Sequence, residues 1–137
     1  MSPRWILTNP DTLVFPALAD DPYVALEVHT YDPFAFAGPH PTLAEWGTPA
    51  DHAFVDTWVD GLAAWAARRG VSVVLGEFGV TNAQMAEAGR VSWYAYHRRV
   101  AHGAGFAILA WDDDGMYRLL NRSANTWDAP IVKALGL

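Results

Sequence analysis

Tyr23-Val24-Ala25-Leu26-Glu27-Val28-His29-Thr30-Tyr31 alternates its side chains with the period of a β-strand. Val24, Leu26, Val28 and Thr30 point one way, and Tyr23, Ala25, Glu27, His29 and Tyr31 the other. In a two-layer protein the second, polar set would meet solvent. In a parallel sheet closed on itself both faces are covered, and the same residues would line the interior or its mouth. The neighbouring segments decide which applies.

Outward from this strand, short apolar runs alternate with longer stretches of helical period, the pattern of βα units. Arg4-Trp5-Ile6-Leu7-Thr8 reads as a strand stopped by Asn9-Pro10, with a short segment over Thr12–Ala19 after it. From Asp32 to Gly47 the chain is rich in Pro, Gly and aromatics, which puts Phe34, Phe36 and Trp46 in an exposed loop. Thr48-Pro49-Ala50-Asp51 opens a helix, with Thr as N-cap and Pro in the first turn. Phe54, Val55, Trp58, Val59, Leu62 and Trp65 form its apolar stripe, and Gly70 ends it. Val71-Ser72-Val73-Val74-Leu75 runs as a strand into Gly76-Glu77-Phe78-Gly79. A helix over Ala83–His102 carries Val91, Tyr94, Ala95 and Arg98 on one face. Phe106–Trp111 is the fourth strand, Asp112-Asp113-Asp114-Gly115 a turn, and Pro130–Leu135 a last short helix. Residues 1–137 thus read as one domain of four parallel strands and about four helices.

Composition bounds the partners. Apolar residues make up 52% of the 137 and charged residues 18%, so the chain folds rather than staying disordered. Nine Lys+Arg against fifteen Asp+Glu leave a charge of −6, which argues against a nucleic-acid phosphate backbone or an anionic membrane surface as partner. Arg68-Arg69 and Arg98-Arg99 sit late in helices, where cations complement the dipole. Without cysteine there is no disulfide, zinc-thiolate or thiol nucleophile. The five histidines lack a convergent ligand spacing, so neither a metal nor another cofactor is expected. Met1-Ser2-Pro3-Arg4-Trp5 shows no secretory leader, and no apolar run approaches the roughly 18 residues of a membrane span. The compartment stays open.

His29 and Tyr31, Glu77, and Trp111 all fall where parallel strands end, the edge at which α/β sheets bind ligands. A carboxylate ending an apolar strand needs a cleft or a partner, because burying it alone is costly. Val73-Val74-Leu75-Gly76-Glu77-Phe78-Gly79 resembles the strand that carries the nucleophile in glycoside hydrolase family 5, the cellulase family. Leu26-Glu27-Val28-His29-Thr30-Tyr31-Asp32-Pro33-Phe34 resembles the family's preceding His-x-Tyr strand, and Trp46-Gly47-Thr48 and Gly105 through Trp111-Asp112 match in order and spacing. The resemblance covers nearly the whole chain.

It implies half of a TIM (β/α)8 barrel, with four parallel βα units corresponding to the family's fifth to eighth strands. It also implies a cellulase or endo-β-1,4-glucanase chemistry on β-linked glucan or cello-oligosaccharide. Glu77 would be the nucleophile, Tyr31 its hydrogen-bond donor, and His29 a sugar contact at the cleavage subsite. Trp111 would be the aromatic floor there, with Trp46 and Phe36 as outlying sugar platforms.

Such a barrel takes about 250 residues and eight strands. The family's acid/base glutamate follows an Asn, and no Asn-Glu pair occurs here; the glutamates are Glu27, Glu45, Glu77 and Glu87. A retaining glycosidase needs two carboxyl groups about 5–5.5 Å apart. A half barrel also leaves two bare strand edges. The expectation is therefore a homodimer closing an eight-stranded barrel, with activity weak or dependent on a second chain. The candidate acids in trans are Asp113, Asp114 and Glu27. A non-catalytic β-glucan-binding module and an inactive half-barrel fragment are the alternative readings.

Overall fold

A computed structural model describes residues 7–14, 21 and 23–137. Three parallel strands lie side by side in sequence order: β1 (Ala25–Thr30), β2 (Ser72–Phe78) and β3 (Ala107–Ala110). Helix α1 (Phe34–Ala37) follows β1, α2 (Pro49–Arg69) links β1 to β2, and α3 (Glu87–Gly103) links β2 to β3. Beyond β3 a small antiparallel pair, β4 (Leu120–Asn121) and β5 (Thr126–Trp127), leads to α4 (Ala129–Ala134). No described helix is long and apolar enough to cross a membrane.

The expected strand at Arg4–Thr8 is not seen as such. Arg4–Ile6 lie outside the described residues, while Leu7 and Thr8 are helical and Leu7 is buried in the core. Five residues are too few for periodicity to separate an apolar helix turn from a strand. The described sheet accordingly has three strands.

Helix α2 has the ends its sequence predicts. The Thr48 hydroxyl accepts from the Asp51 amide, the Asp51 carboxylate accepts from the Thr48 amide, and Gly70 closes the helix in the left-handed region at φ 65°. Such a capping arrangement contributes about 1 kcal/mol. Val55, Trp58, Val59, Leu62 and Trp65 are buried against the sheet, as the stripe requires. On α3 the buried face is Arg90, Trp93, Tyr94, His97 and Ala101; of the expected Val91, Tyr94, Ala95 and Arg98, Tyr94 is buried and the other three are only partly so. Val91 and Ala95 instead border a shallow cavity against α4. That helix begins at Glu87 rather than Ala83, because Thr81 and Gln84 first spend their side chains on the loop: Thr81 Oγ1 accepts from the Ala83 amide and Gln84 donates to the Phe36 and Leu43 carbonyls.

One face of the sheet is packed by these helices. Val28, Thr30, Val73, Leu75 and Phe78 are buried there. The opposite, concave face carries Glu27, His29, Glu77 and Leu109 and has no described helix over it. One covered face and one open face are consistent with a half barrel.

Candidate active site

The placement of Glu77 depends on an irregularity in β2. Val28 pairs with Leu75 and His29 with Glu77, so Gly76 has no partner on β1. A bulge of one residue reverses the phase of a strand. Val73 and Leu75 point into the helix-packed core, and simple alternation would send residue 77 the same way. The extra residue turns Glu77 to the concave face and Phe78 into the core. Burial along β2 records the shift: its buried residues fall at 73, 75 and then 78.

Beside Glu77 stand His29 and Tyr31, as their strand phase predicts. The Tyr31 hydroxyl donates to Glu77 Oε2 at 2.9 Å, and His29 Nδ1 lies 3.4 Å from the same oxygen. On the far side of the ring, His29 Nε2 is 3.1 Å from Glu27 Oε1. The Glu77 and His29 side chains are 27% and 21% exposed, so the group is lined but open to a ligand. Burial pushes the Tyr31 hydroxyl far above its ordinary pKa, and the bond to the Glu77 carboxylate adds to this. Tyr31 therefore keeps its proton and remains the donor to Glu77 at neutral pH.

Two tyrosines not anticipated from sequence hold this corner. The Tyr117 ring meets Tyr31 edge-on at 5.1 Å between centroids. The Tyr94 hydroxyl accepts the Val80 amide at 3.0 Å, and a side chain at Gly79 would press on both rings, 3.2 Å from Tyr94 Oη and 3.3 Å from Tyr117 Cδ1. Burial raises Tyr94 to about 12. Neither residue lies in a motif, and only their spacing from the strand ends after folding could have identified them.

Trp111 follows β3, its amide donating to the Phe78 carbonyl at 3.0 Å, with much of its ring exposed. The other two expected platforms are corrections. Phe36 is fully buried, its ring end 3.1 Å from where a Cβ on Gly89 would stand, so the α3 glycine makes room for it and no face is left for a sugar. Trp46 is 8% exposed, packed edge-on to His52 and Tyr96, and shows only a rim to a cavity of about 170 Å³. Large aromatics in a Pro/Gly-rich loop gain more by turning into the core than by facing water.

The three aspartates are tied into their own loop. Asp112 accepts from the Asp114 and Leu120 amides and from Arg122. Burial opposes its charge, but these donors outweigh it and hold the carboxyl below its usual range. Asp113 Oδ1 accepts from the Gly115 and Tyr117 amides, and Asp114, at φ 56°, pairs with Arg122 at 3.0 Å. Glu27 is 61% exposed on the concave face rather than buried. Among the described residues no three His, Asp or Glu side chains are grouped to hold a metal ion.

The family model Cellulase (glycosyl hydrolase family 5) matches residues 4–115. The chain belongs to glycosyl hydrolase family 5. Within that family it is 34% identical to Endoglucanase H of Acetivibrio thermocellus over 131 residues, covering 91% of this chain and 14% of that protein. Endoglucanase A of Clostridium longisporum is 30% identical over 117 residues, 79% of this chain and 22% of its own. Among solved structures, the cellulose synthase subunit Z of Clostridioides difficile superposes with a TM-score of 0.77 at 29% identity, covering 85% of this chain and 42% of that one. A hyperthermophilic endo-β-1,4-glucanase solved with its substrate gives 0.78 at 28%, covering 86% and 41%. The chain thus spans about two-fifths of these family 5 structures and less of the curated relatives.

Proposed function

We propose that this family 5 chain is the nucleophile-bearing part of an endo-β-1,4-glucanase-type site acting on β-linked glucan, with Glu77 as the nucleophile. The observation that carries this reading is the convergence of the Tyr31 hydroxyl and His29 Nδ1 on one oxygen, Glu77 Oε2. Two neighbours at Oε2 fix the carboxylate plane and leave Oε1 as the attacking atom. Oε1 would bond to the anomeric carbon as the bond from that carbon to the leaving oxygen breaks, giving a glycosyl ester on Glu77. The leaving oxygen takes its proton from an acid; water then attacks the same carbon, giving a proton back to that group as the ester bond breaks and Glu77 leaves as the carboxylate. A developing oxocarbenium charge next to an ionised, oriented carboxylate is stabilised without reorganisation. Trp111 would supply a flat apolar ring for the C–H face of the sugar.

The acid comes from a second chain in this reading. The concave face is open, and β1 and β3 are sheet edges among the described residues. Two copies related by a two-fold axis would set β3 of each beside β1 of the other, so that each covers the other's open face. Asp113, Asp114 or Glu27 of the second copy would then face Glu77 as proton donors. A light-scattering mass of twice 15.0 kDa is expected, and a stable single chain would reject the closure.

The test of the site is Glu77→Gln on a soluble cellulose or a chromogenic cello-oligoside. Turnover should fall by about 10³-fold or more. Unchanged turnover rejects Glu77 as nucleophile. Oligosaccharide binding without any turnover in the unaltered protein would make the chain a β-glucan-binding module instead.

A further inference from the structure

The hairpin beyond β3 holds a cavity that the reaction above does not use. It measures about 220 Å³, and Asn82, Arg118, Asn121, Thr126, Trp127 and Asp128 contribute to its lining, whereas His29, Tyr31, Glu77 and Trp111 do not. Asn82 comes from the loop after β2 and the other five from the chain after β3, so the cavity lies beyond the carboxyl ends of two parallel strands. Its most telling member is Trp127. Trp46, Trp58, Trp65 and Trp93 are buried, and Trp111 at 37% exposure already has a place in the site, but Trp127 is 60% exposed. An indole left in water forgoes the burial that the other rings gain. The hairpin is nevertheless fixed. Asp112 accepts the Leu120 amide at 3.0 Å, the Asp128 amide donates to the Leu119 carbonyl at 2.8 Å, and Asn82 Nδ2 donates to the Arg118 carbonyl at 3.1 Å.

We propose that this cavity is a second carbohydrate-binding site, separate from the cleavage site, that holds a glucosyl unit of a β-1,4-linked glucan against the Trp127 ring. The ligand class rests on the reading of the chain as acting on β-linked glucan, whereas the cavity and its donors belong to the hairpin alone. In β-linked glucose every ring substituent is equatorial. The faces of the sugar are then C–H surfaces that suit a flat indole, and the hydroxyls radiate from its edge. A neutral polyol of this kind needs both donors and acceptors around the ring, and the cavity has both. Arg118 is exposed, with no hydrogen bond or ion pair to its guanidinium among the described residues, and so offers N–H groups. Asn121 accepts the Ala124 amide with Oδ1 at 3.0 Å, which leaves Nδ2 to donate. Asp128 supplies acceptors: its carboxylate is 27% exposed, takes the Ile131 amide on Oδ1 and stands 3.5 Å from Arg90 with Oδ2. The same two charges select against ions. A phosphate or acidic sugar would meet Asp128, and a cation would meet Arg118. The fixed hairpin keeps the ordering cost of binding low.

The test is a titration of the full chain carrying Glu77→Gln, so that no oligosaccharide is consumed, with cellohexaose in ¹⁵N–¹H correlation spectra. The Trp127 indole N–H signal should move and saturate. Arg118→Ala should raise the half-saturating concentration about tenfold, the size of one hydrogen bond from a charged donor. In Trp127→Ala the Asn121 side-chain amide should no longer respond. Both substitutions are at exposed positions, and the Trp93 indole signal, set by its bond to the Asp32 carbonyl at 2.8 Å, checks that each variant keeps its fold. A Trp127 signal that cellohexaose leaves in place overturns the proposal, as does one that moves with inorganic phosphate alone. An equal response to the α-linked maltohexaose overturns the β-glucan assignment. Saturation at Trp127 without any turnover by the unaltered protein supports this site and counts against the cleavage reading. Turnover with an unmoved Trp127 signal overturns this site alone.

Discussion

The two faces of the three-stranded sheet are built by the same strands and obey opposite rules. On the convex face Val28, Thr30, Val73, Leu75 and Phe78 are excluded from water by α2 and α3. On the concave face Glu27, His29, Glu77 and Leu109 remain accessible, and the polar groups satisfy one another instead. Stability is thus concentrated on one side and chemistry on the other. The exchange point is Gly76: one unpaired residue sends Glu77 to the open face and its neighbour Phe78 to the closed one. Adjacent residues should then respond to truncation in opposite ways.

Phe78→Ala is expected to have the largest effect. Phe78 is fully buried and stacks on Trp93 and Tyr94 with centroids 6.0 and 5.8 Å away. Removing a buried phenyl ring costs about 3–5 kcal/mol, against a typical domain stability of about 5–15 kcal/mol. Urea unfolding should reveal a midpoint far below that of the unaltered chain, while Glu77→Gln one residue earlier leaves it in place. Equal losses at 77 and 78 would break the distinction between the faces.

Next in size is a pH effect confined to the convex side. His97 lies on the buried face of α3, its ring 3.7 Å from that of Trp93, with Nδ1–H donating to the Trp93 carbonyl at 2.9 Å. Burial drives its pKa down from 6.5 to about 4, the one hydrogen bond opposing only weakly. Between those values the unfolded chain binds a proton that the native chain refuses. Stability from this group is complete above about pH 6.5 and is lost as pH falls towards 4, by roughly 3 kcal/mol in all. Asp51 and Asp112, whose carboxyls are held below 3.8 although burial opposes it, lose their contribution only at lower pH, so the windows separate. Urea unfolding at pH 7.5 and 4.5 should differ by this amount in the unaltered protein and much less in His97→Phe. An equal drop in both would remove His97 as the cause.

The same contrast explains what was legible in the sequence. Strict alternation in β1 assigned Leu26, Val28 and Thr30 to one face and Glu27 and His29 to the other, because a period of two leaves no freedom once one face is buried. Thr48, Pro49 and Gly70 bounded α2 through backbone chemistry that is local to each end. Failures came where the outcome depends on distant partners. Phe36 and Trp46 read as loop aromatics because the space at Gly89 and beside Tyr96 that receives them lies some fifty residues away in the chain. The α3 face was misjudged by about one residue, since apolar side chains surround that helix and only packing against the sheet and α4 selects Trp93 and His97. The β4–β5 pair has two residues per strand, below the length at which a pattern exists, and its turn relies on Asn125 at φ 50°. In the candidate site, Glu77, His29 and Tyr31 follow from strand ends, whereas Tyr94 and Tyr117 enter only through three-dimensional proximity.

The smallest stability effect is expected at Leu109, and it sharpens the comparison most. Leu109 lies on β3 opposite the Gly76–Glu77 irregularity and is 54% exposed on the concave face. A leucine left in water contributes little to the fold of one chain, so Leu109→Ser should change unfolding of the dilute protein by no more than about 0.5 kcal/mol. If a second copy covers the concave face, the same leucine becomes part of a core between chains. Unfolding midpoints of the unaltered protein would then rise with concentration by mass action, and those of Leu109→Ser would rise less. Light scattering on the two proteins gives the matching readout in mass. A large loss at high dilution would mean that the open face already serves the single chain as core. The separation of stability from chemistry across the sheet would then fail at an exposed leucine of β3.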